Sequence, residues 1–196
     1  METILTPTTE LEAVNTLIST ISMTPVNSLD DDATADVVMA VNVLREVNRE
    51  VQTEGWHFNS EDDYPLVRGL DGRIKLPSNI AQVDLPTNCN GYWRKDVVQR
   101  GQYLYDKKSH GYTFDADLRA SVILLLPFEE IPEAARYFIT IRAARRFQDR
   151  TVGAMERHKF TETDELQALG RFRNAEAETG DYSYADNHDV QATLRR

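Results

Sequence analysis

Residues 127–153 read PFEEIPEAARYFITIRAARRFQDRTVG. The spacing predicts one long amphipathic helix over this stretch. Ile131, Ala134, Phe138 and Ile141 recur at helical intervals and mark a buried stripe. Glu129, Glu130 and Glu133 stand near the start and Arg145, Arg146 and Arg150 near the end, the order that a helix dipole favours. Pro132 suits a first turn, where its missing N–H leaves no partner unsatisfied. Gly153 supplies a stop.

The opposite side of this helix is rich in cations. Arg142, Arg146 and Arg150 are spaced four apart and form one row, with Arg136 and Arg145 close by. Two readings stand. The row is a solvated face with ion pairs to neighbouring acidic helices, or it is a subunit contact, because the planar guanidinium pairs carboxylates in two places. In the second reading Arg136, Arg142, Arg145, Arg146 and Arg150 are the interface residues.

Upstream, Thr9 and Glu12 form a capping box, and Leu11, Val14, Ile18 and Ile21 predict a first helix from Glu10 to Ser22. Residues 1–8 read as a loose arm. Pro25 opens a loop. A second helix is predicted from Thr34 to Glu54 with Val37, Val41, Leu44, Val47 and Val51 as its stripe, ended by Gly55. Downstream of the central helix, Thr161 and Asp164 cap a fourth, which carries Leu166, Leu169 and Phe172 and ends by Gly180. Residues 181–196 have little apolar content and read as a tail or an arm that orders on a partner.

Between the helical pairs, from Trp56 to Leu126, the period moves toward two and turn residues multiply. Strands are expected around Ile74–Leu76, Ile80–Leu85, Tyr92–Trp93, Val97–Val98, Tyr103–Tyr105, Tyr112–Phe114 and Ser121–Leu126. Asn90-Gly91, Gly101 and Lys107–Gly111 supply the turns. The expected fold class is α+β. A four-helix bundle is formed by both ends of the chain, residues 1–55 and 127–180, with a small antiparallel β domain inserted over 56–126.

The chain has 196 residues, 41% hydrophobic and 28% charged, the composition of a soluble globular protein. No apolar run approaches the length that crosses a bilayer, and METILTPTTE lacks the pattern of a signal peptide. Cys89 is the single cysteine, so neither an internal disulfide nor a cysteine-anchored metal site is expected. The net charge of −10 argues against a protein that grips nucleic acid by neutralising phosphates. It is compatible with one that DNA slides past.

No catalytic or cofactor motif is present: no P-loop, no dinucleotide fingerprint, no nucleophile elbow and no zinc-binding helix motif. His57, His110, His158 and His188 are scattered. Asp84, Asp96, Asp106, Asp115 and Asp117 lie on or beside the strands, and two of them are candidates for a glycosidase pair. With 32 acids in the chain, accidental pairs are the commoner explanation. Tyr92, Trp93, Tyr103, Tyr105, Tyr112 and Phe114 are either a stacking platform for sugars or bases or the core of a small sheet, and the core is the commoner role. No enzyme activity, cofactor or metal is expected. The alternatives are a polysaccharide-binding or -hydrolysing protein and a DNA-binding module on the arginine row.

These residues carry a resemblance. ELEAVNTLISTISMTPVNSLDDDATADVVMAVNVLREVNREVQTEGWHFN resembles the N-terminal part of the tail tubular protein A family of short-tailed bacteriophages, and the likeness extends through RGQYLYD, LLPFEEIPEAARYFITIRAARRFQDRTVG and the acidic helix after it. Its most specific pieces are AVN…TPVNSL, EGWHFN and PEAARYFITIRAARRFQ. The resemblance implies a structural head-to-tail adaptor, or gatekeeper, in the virion tail, made in the host cytoplasm. It implies a dodecameric ring beneath the portal protein that seats the nozzle, tail tubular protein B, with tail fibres at the same level. Viral DNA passes through the centre without specific binding.

Overall fold

The computed structural model describes residues 6–29, 34–85, 95–152 and 160–180. The Asn90-Gly91 turn, the Tyr92–Trp93 strand, Cys89, Gly153, His158, His188 and the 181–196 tail lie outside the described residues. The described residues form an α+β fold with four α-helices and small antiparallel sheets. Chain contacts divide it into two compact units, residues 1–47 with 131–196 and residues 48–130.

In the helical unit, α1 (Glu10–Ser19) starts on Thr9 with both halves of the capping box formed. It buries Ala13, Val14, Leu17 and Ile18, while Leu11 and Ile21 are half-buried. The helix is shorter than its periodicity predicts. The N–H groups of Thr20, Ile21 and Ser22 bond three residues back instead of four, and Ser22 adopts φ 63°. The Asn15 side-chain amide then clasps Val26, donating to its carbonyl at 3.0 Å and accepting from its N–H at 2.8 Å, which ties down the loop that Pro25 opens. Thr8 is not part of a loose arm. Its N–H and hydroxyl donate to Glu133 at 2.7 and 2.6 Å, and its carbonyl accepts from Arg136 at 2.7 Å.

The helix α2 spans Ala35–Thr53 and crosses the division between the units. Val37, Ala40, Val43, Leu44, Val47 and Val51 are its buried apolar residues, with Val41 only half-buried. The central helix α3 spans Glu133–Val152, six residues shorter at its start than a helix begun at Pro127. Residues 128–130 form a separate 3₁₀ turn. Pro132 separates the two because its ring disfavours helical backbone at Ile131. The Pro132 carbonyl accepts the first helical bonds, from Ala135 and Arg136.

Ala135, Phe138, Ile139, Ile141, Ala143, Ala144 and Phe147 of α3 are buried. This is a wider apolar surface than one stripe, because α3 packs against both α1 and α4. The helix α4 (Glu162–Thr179) has the capping box of Thr161 and Asp164. Its buried side is Glu165, Ala168, Phe172 and Glu176, and Phe172 stacks on Phe138 at 5.7 Å. Leu166, expected on the stripe, is 59% exposed. The packed face is turned one position from the one its leucines suggest, since it follows the carboxylate of Glu165 toward the arginines of α3.

In the second unit, β1 (Ser60–Leu66), β5 (Leu118–Leu124) and β2 (Ile80–Asp84) form an antiparallel sheet in the order β1-β5-β2. The strands β3 (Val97–Arg100) and β4 (Tyr103–Asp106) form a hairpin. On β5, Leu118, Ala120, Val122 and Leu124 point inward in strict alternation. They join Leu66, Ile74, Leu76, Ile80, Val83, Leu104 and Phe114 in one apolar cluster.

The strand β1 has no apolar alternation. SEDDYPL is an edge strand whose acids and proline keep other strands from pairing with it. Asp62 accepts from the Ser121 hydroxyl, and Asp63, at φ 59°, accepts from Arg119 at a bulge. Arg73, Ile74 and Lys75 make isolated bridges, to Thr113, Arg68 and Tyr103, instead of a strand; the Ile74 carbonyl accepts from the Leu104 N–H, and the Leu76 N–H donates to the Gln102 carbonyl.

EGWHFN forms the joint between α2 and β1. Gly55 has φ 76°, and a Cβ there would stand 2.7 Å from the Ile123 Cδ1 atom. The Trp56 indole N–H donates to the Val51 carbonyl at 2.7 Å. Buried Asn59 donates to the carbonyls of Gln52 and Leu124 and accepts from the Trp56 N–H.

Candidate functional site

The arginine row of α3 meets two carboxylates within its own unit. Arg142 Nε donates to Glu165 Oε1 at 2.8 Å and Arg145 Nε to Glu165 Oε2 at 2.6 Å, so α4 is pinned by one glutamate with 12% of its side chain exposed. The Arg142 guanidinium also lies 4.8 Å from the centre of the Phe138 ring. Arg150 grips Glu46 of α2 with both terminal nitrogens, at 2.8 and 2.9 Å, and Arg146 reaches the same carboxylate at 3.1 Å. The hydrogen bond from Arg150 holds the Glu46 carboxyl below the ordinary range against a smaller opposing effect of burial. Arg136 is buried and donates to the carbonyls of Ile131 and Thr8.

The ion pairs to neighbouring acidic helices are thus present. The five arginines divide into a backbone anchor (Arg136), a clamp on α4 (Arg142 and Arg145) and a clamp on α2 (Arg146 and Arg150). Sequence spacing finds the row but not its acceptors. Only the placing of Glu165 on the packed side of α4 and of Glu46 on α2 identifies them. Reversing the charges of Arg142 and Arg146 together strikes packing inside the chain as well as any contact outside it.

The strand carboxylates have local partners. Asp117 accepts from the Arg68 N–H, Asp84 from the Leu85 N–H, and Asp96 pairs with Lys107 at 3.1 Å. Asp106 is buried at the end of β4. Burial presses its carboxyl upward, but the N–H groups of Lys108, Ser109 and Asp96 and the Ser109 hydroxyl outweigh that and hold it below the ordinary range. That is the direction opposite to a general acid's. Asp115 is exposed. Among the described residues no three His, Cys, Asp or Glu side chains are placed to hold a metal ion. No described helix is long and apolar enough to cross a membrane.

The aromatics separate. Phe114 is core, as alternation suggests. Tyr103 and Tyr105 are half-buried on the outer side of β4, while Leu104 and Asp106 between and after them point inward. Tyr112 is exposed and meets Tyr105 edge-on at 4.9 Å. The core role expected for these three tyrosines is therefore corrected: the Leu104 side chain takes the inward position and period two sends its neighbours out. Arginines layer on the rings, Arg100 at 3.6 Å from the Tyr105 centroid and Arg73 at 5.7 Å from that of Tyr103. Beside this plate, Lys75, Pro77, Ser78, Gln99 and Gln102 line a groove of about 570 Å³.

No curated protein matches the chain. A family model for the tail tubular protein matches residues 11–182, from the first helix through the last. The match spans both units and includes the Gly55–Asn59 joint and the arginine-bearing helix. The chain therefore belongs to the tail tubular protein family and is a structural component of the bacteriophage virion tail.

Proposed function

We propose that this protein is the tail tubular protein A type of adaptor, a dodecameric ring between portal and nozzle through which the genome leaves. The family match over residues 11–182 carries this reading. The charge supports it. Copies of −10 each make an acidic ring that repels a passing duplex and keeps it from adhering. The internal ion pairs support it too, since a subunit under load gains from helices clamped to one another. In this reading the four helices pack as a bundle, with α3 against α1 and α4 and with Arg45–Glu10 and the Glu46 pairs tying in α2.

The protein works by shape and association, without catalysis. Its partners are its own copies, the portal, the nozzle protein and tail fibres, and it is made in the host cytoplasm before joining the tail. The more exposed members of the arginine row, Arg145 and Arg150, contribute to the subunit contact. Cryo-electron microscopy of purified protein mixed with portal tests the proposal. A ring seated on the portal is expected, and portal particles without one overturn it. Release of reducing ends from capsular glycans by the purified protein would overturn the non-catalytic part alone.

A further inference from the structure

We infer that the outer face of the β3–β4 hairpin is a lateral contact that seats against the acidic N-terminal helical segment of the next copy. The inference rests on the ring reading and assigns a surface to it.

Four observations carry it. Cross-strand pairing sets Arg100 opposite Tyr103 and Val98 opposite Tyr105, so these side chains share one face. That face faces outward, because Leu104 and Val97 take the inward positions. Second, its arginines are pre-ordered. Arg100 lies on Tyr105 and Arg73 on Tyr103, and Tyr112 braces Tyr105 from the edge. A guanidinium held by its face against a ring, as that of Arg100 is, keeps its N–H edge for a carboxylate and loses little freedom on forming that bond; Arg73 Nε already lies 3.9 Å from Asp71.

Third, arginine with tyrosine is the composition of energetic centres in protein interfaces. The loop that supplies Arg73 also presents Leu70, which is fully exposed. Fourth, the charges are complementary within one chain. Residues 66–112 hold eight Lys and Arg against four acids, whereas residues 1–47 hold one Arg against eight acids, of which Glu10, Glu12 and Glu46 are already held by Arg45, Thr9 and Arg150 within the chain. A cationic plate on one part and an acidic segment on another make a head-to-tail contact, the kind that closes into rings. The net charge of −10 favours this partner over nucleic acid.

The test uses full-length protein in assembled virions, with benzoylphenylalanine in place of Tyr112 and the photoproducts mapped by mass spectrometry. The expected product joins two copies, with the second peptide drawn from residues 1–47. A product with another virion protein, a product with DNA, or no product overturns the inference. A second variant, Arg73→Glu with Arg100→Glu, should lower the self-product by about tenfold or more while the circular dichroism and melting of the free subunit stay unchanged. An undiminished yield overturns it. Micrographs of the same particles separate the two readings. Rings without the self-product sink the plate and leave the ring, and the self-product without rings sinks the ring alone.

Discussion

Gln52 pairs through its side-chain amide with both backbone groups of Leu126. Its Nε2 donates to the Leu126 carbonyl at 2.9 Å, and its Oε1 accepts from the Leu126 N–H at 2.7 Å. One buried side chain of α2 thus does for the exit from β5 what a neighbouring strand does elsewhere in the sheet. Replacing Gln52 with Leu leaves a donor and an acceptor without partners. The expected loss is about 1–3 kcal/mol in urea unfolding, and a loss near zero would mean that water takes over both bonds.

Gly55 and Ile123 should be coupled. Gly55→Ala forces a left-handed backbone on alanine and drives a Cβ toward the Ile123 Cδ1 atom, 2.7 Å away. We expect it to destabilise by about 2 kcal/mol. Ile123→Val removes that Cδ1 atom, so the double variant should be more stable than the sum of the two singles. Strict additivity in a double-mutant cycle would refute the clash.

Glu165→Ala should cost about 2–3 kcal/mol, because it removes the carboxylate that two partly buried guanidinium groups, Arg142 and Arg145, share. Leu166→Ala, one residue on, should change stability by less than about 0.5 kcal/mol, because that side chain faces water. Chemical denaturation of the two variants side by side checks the rotational phase of α4. The reverse ranking would place Leu166 in the core.

Acid should loosen the helices. Thr9 lowers the pKa of Glu12, Arg150 that of Glu46, and Thr161 that of Asp164, in each case chiefly by hydrogen bonds. A carboxylate with a lowered folded-state pKa contributes stability above its unfolded value, about 4, and loses it as pH falls through the folded value. Helical circular dichroism and urea midpoints should therefore hold near neutrality and fall once the pH drops below about 4. Glu46→Gln should flatten part of that fall. A midpoint indifferent to acid would show these bonds to be energetically silent.

Local chemistry made much of this molecule legible before any fold was known. The Thr9 and Thr161 capping boxes, the stop at Gly55, the alternation of Ser121–Leu124 and the turn at Gly101 depend on neighbours a few residues away. Such neighbours are adjacent in the chain whatever the rest of it does. The family was legible too, in segments such as EGWHFN, because a joint built from Gly55, Trp56 and Asn59 tolerates few other residue types.

What tertiary structure decided was each matter in which distant residues compete for one place. Ser60–Leu66 became a strand because β5 offered it a partner, although nothing in SEDDYPL alternates. The face of α4 turned toward Glu165 because two guanidinium groups waited on α3, and Leu166 was left in water. Tyr103 and Tyr105 went outward because Leu104 between them and Asp106 after them take the inward positions. Charge pairing and burial act across the chain without regard to sequence separation, so a reading along the chain names the donors, and the fold alone supplies their acceptors.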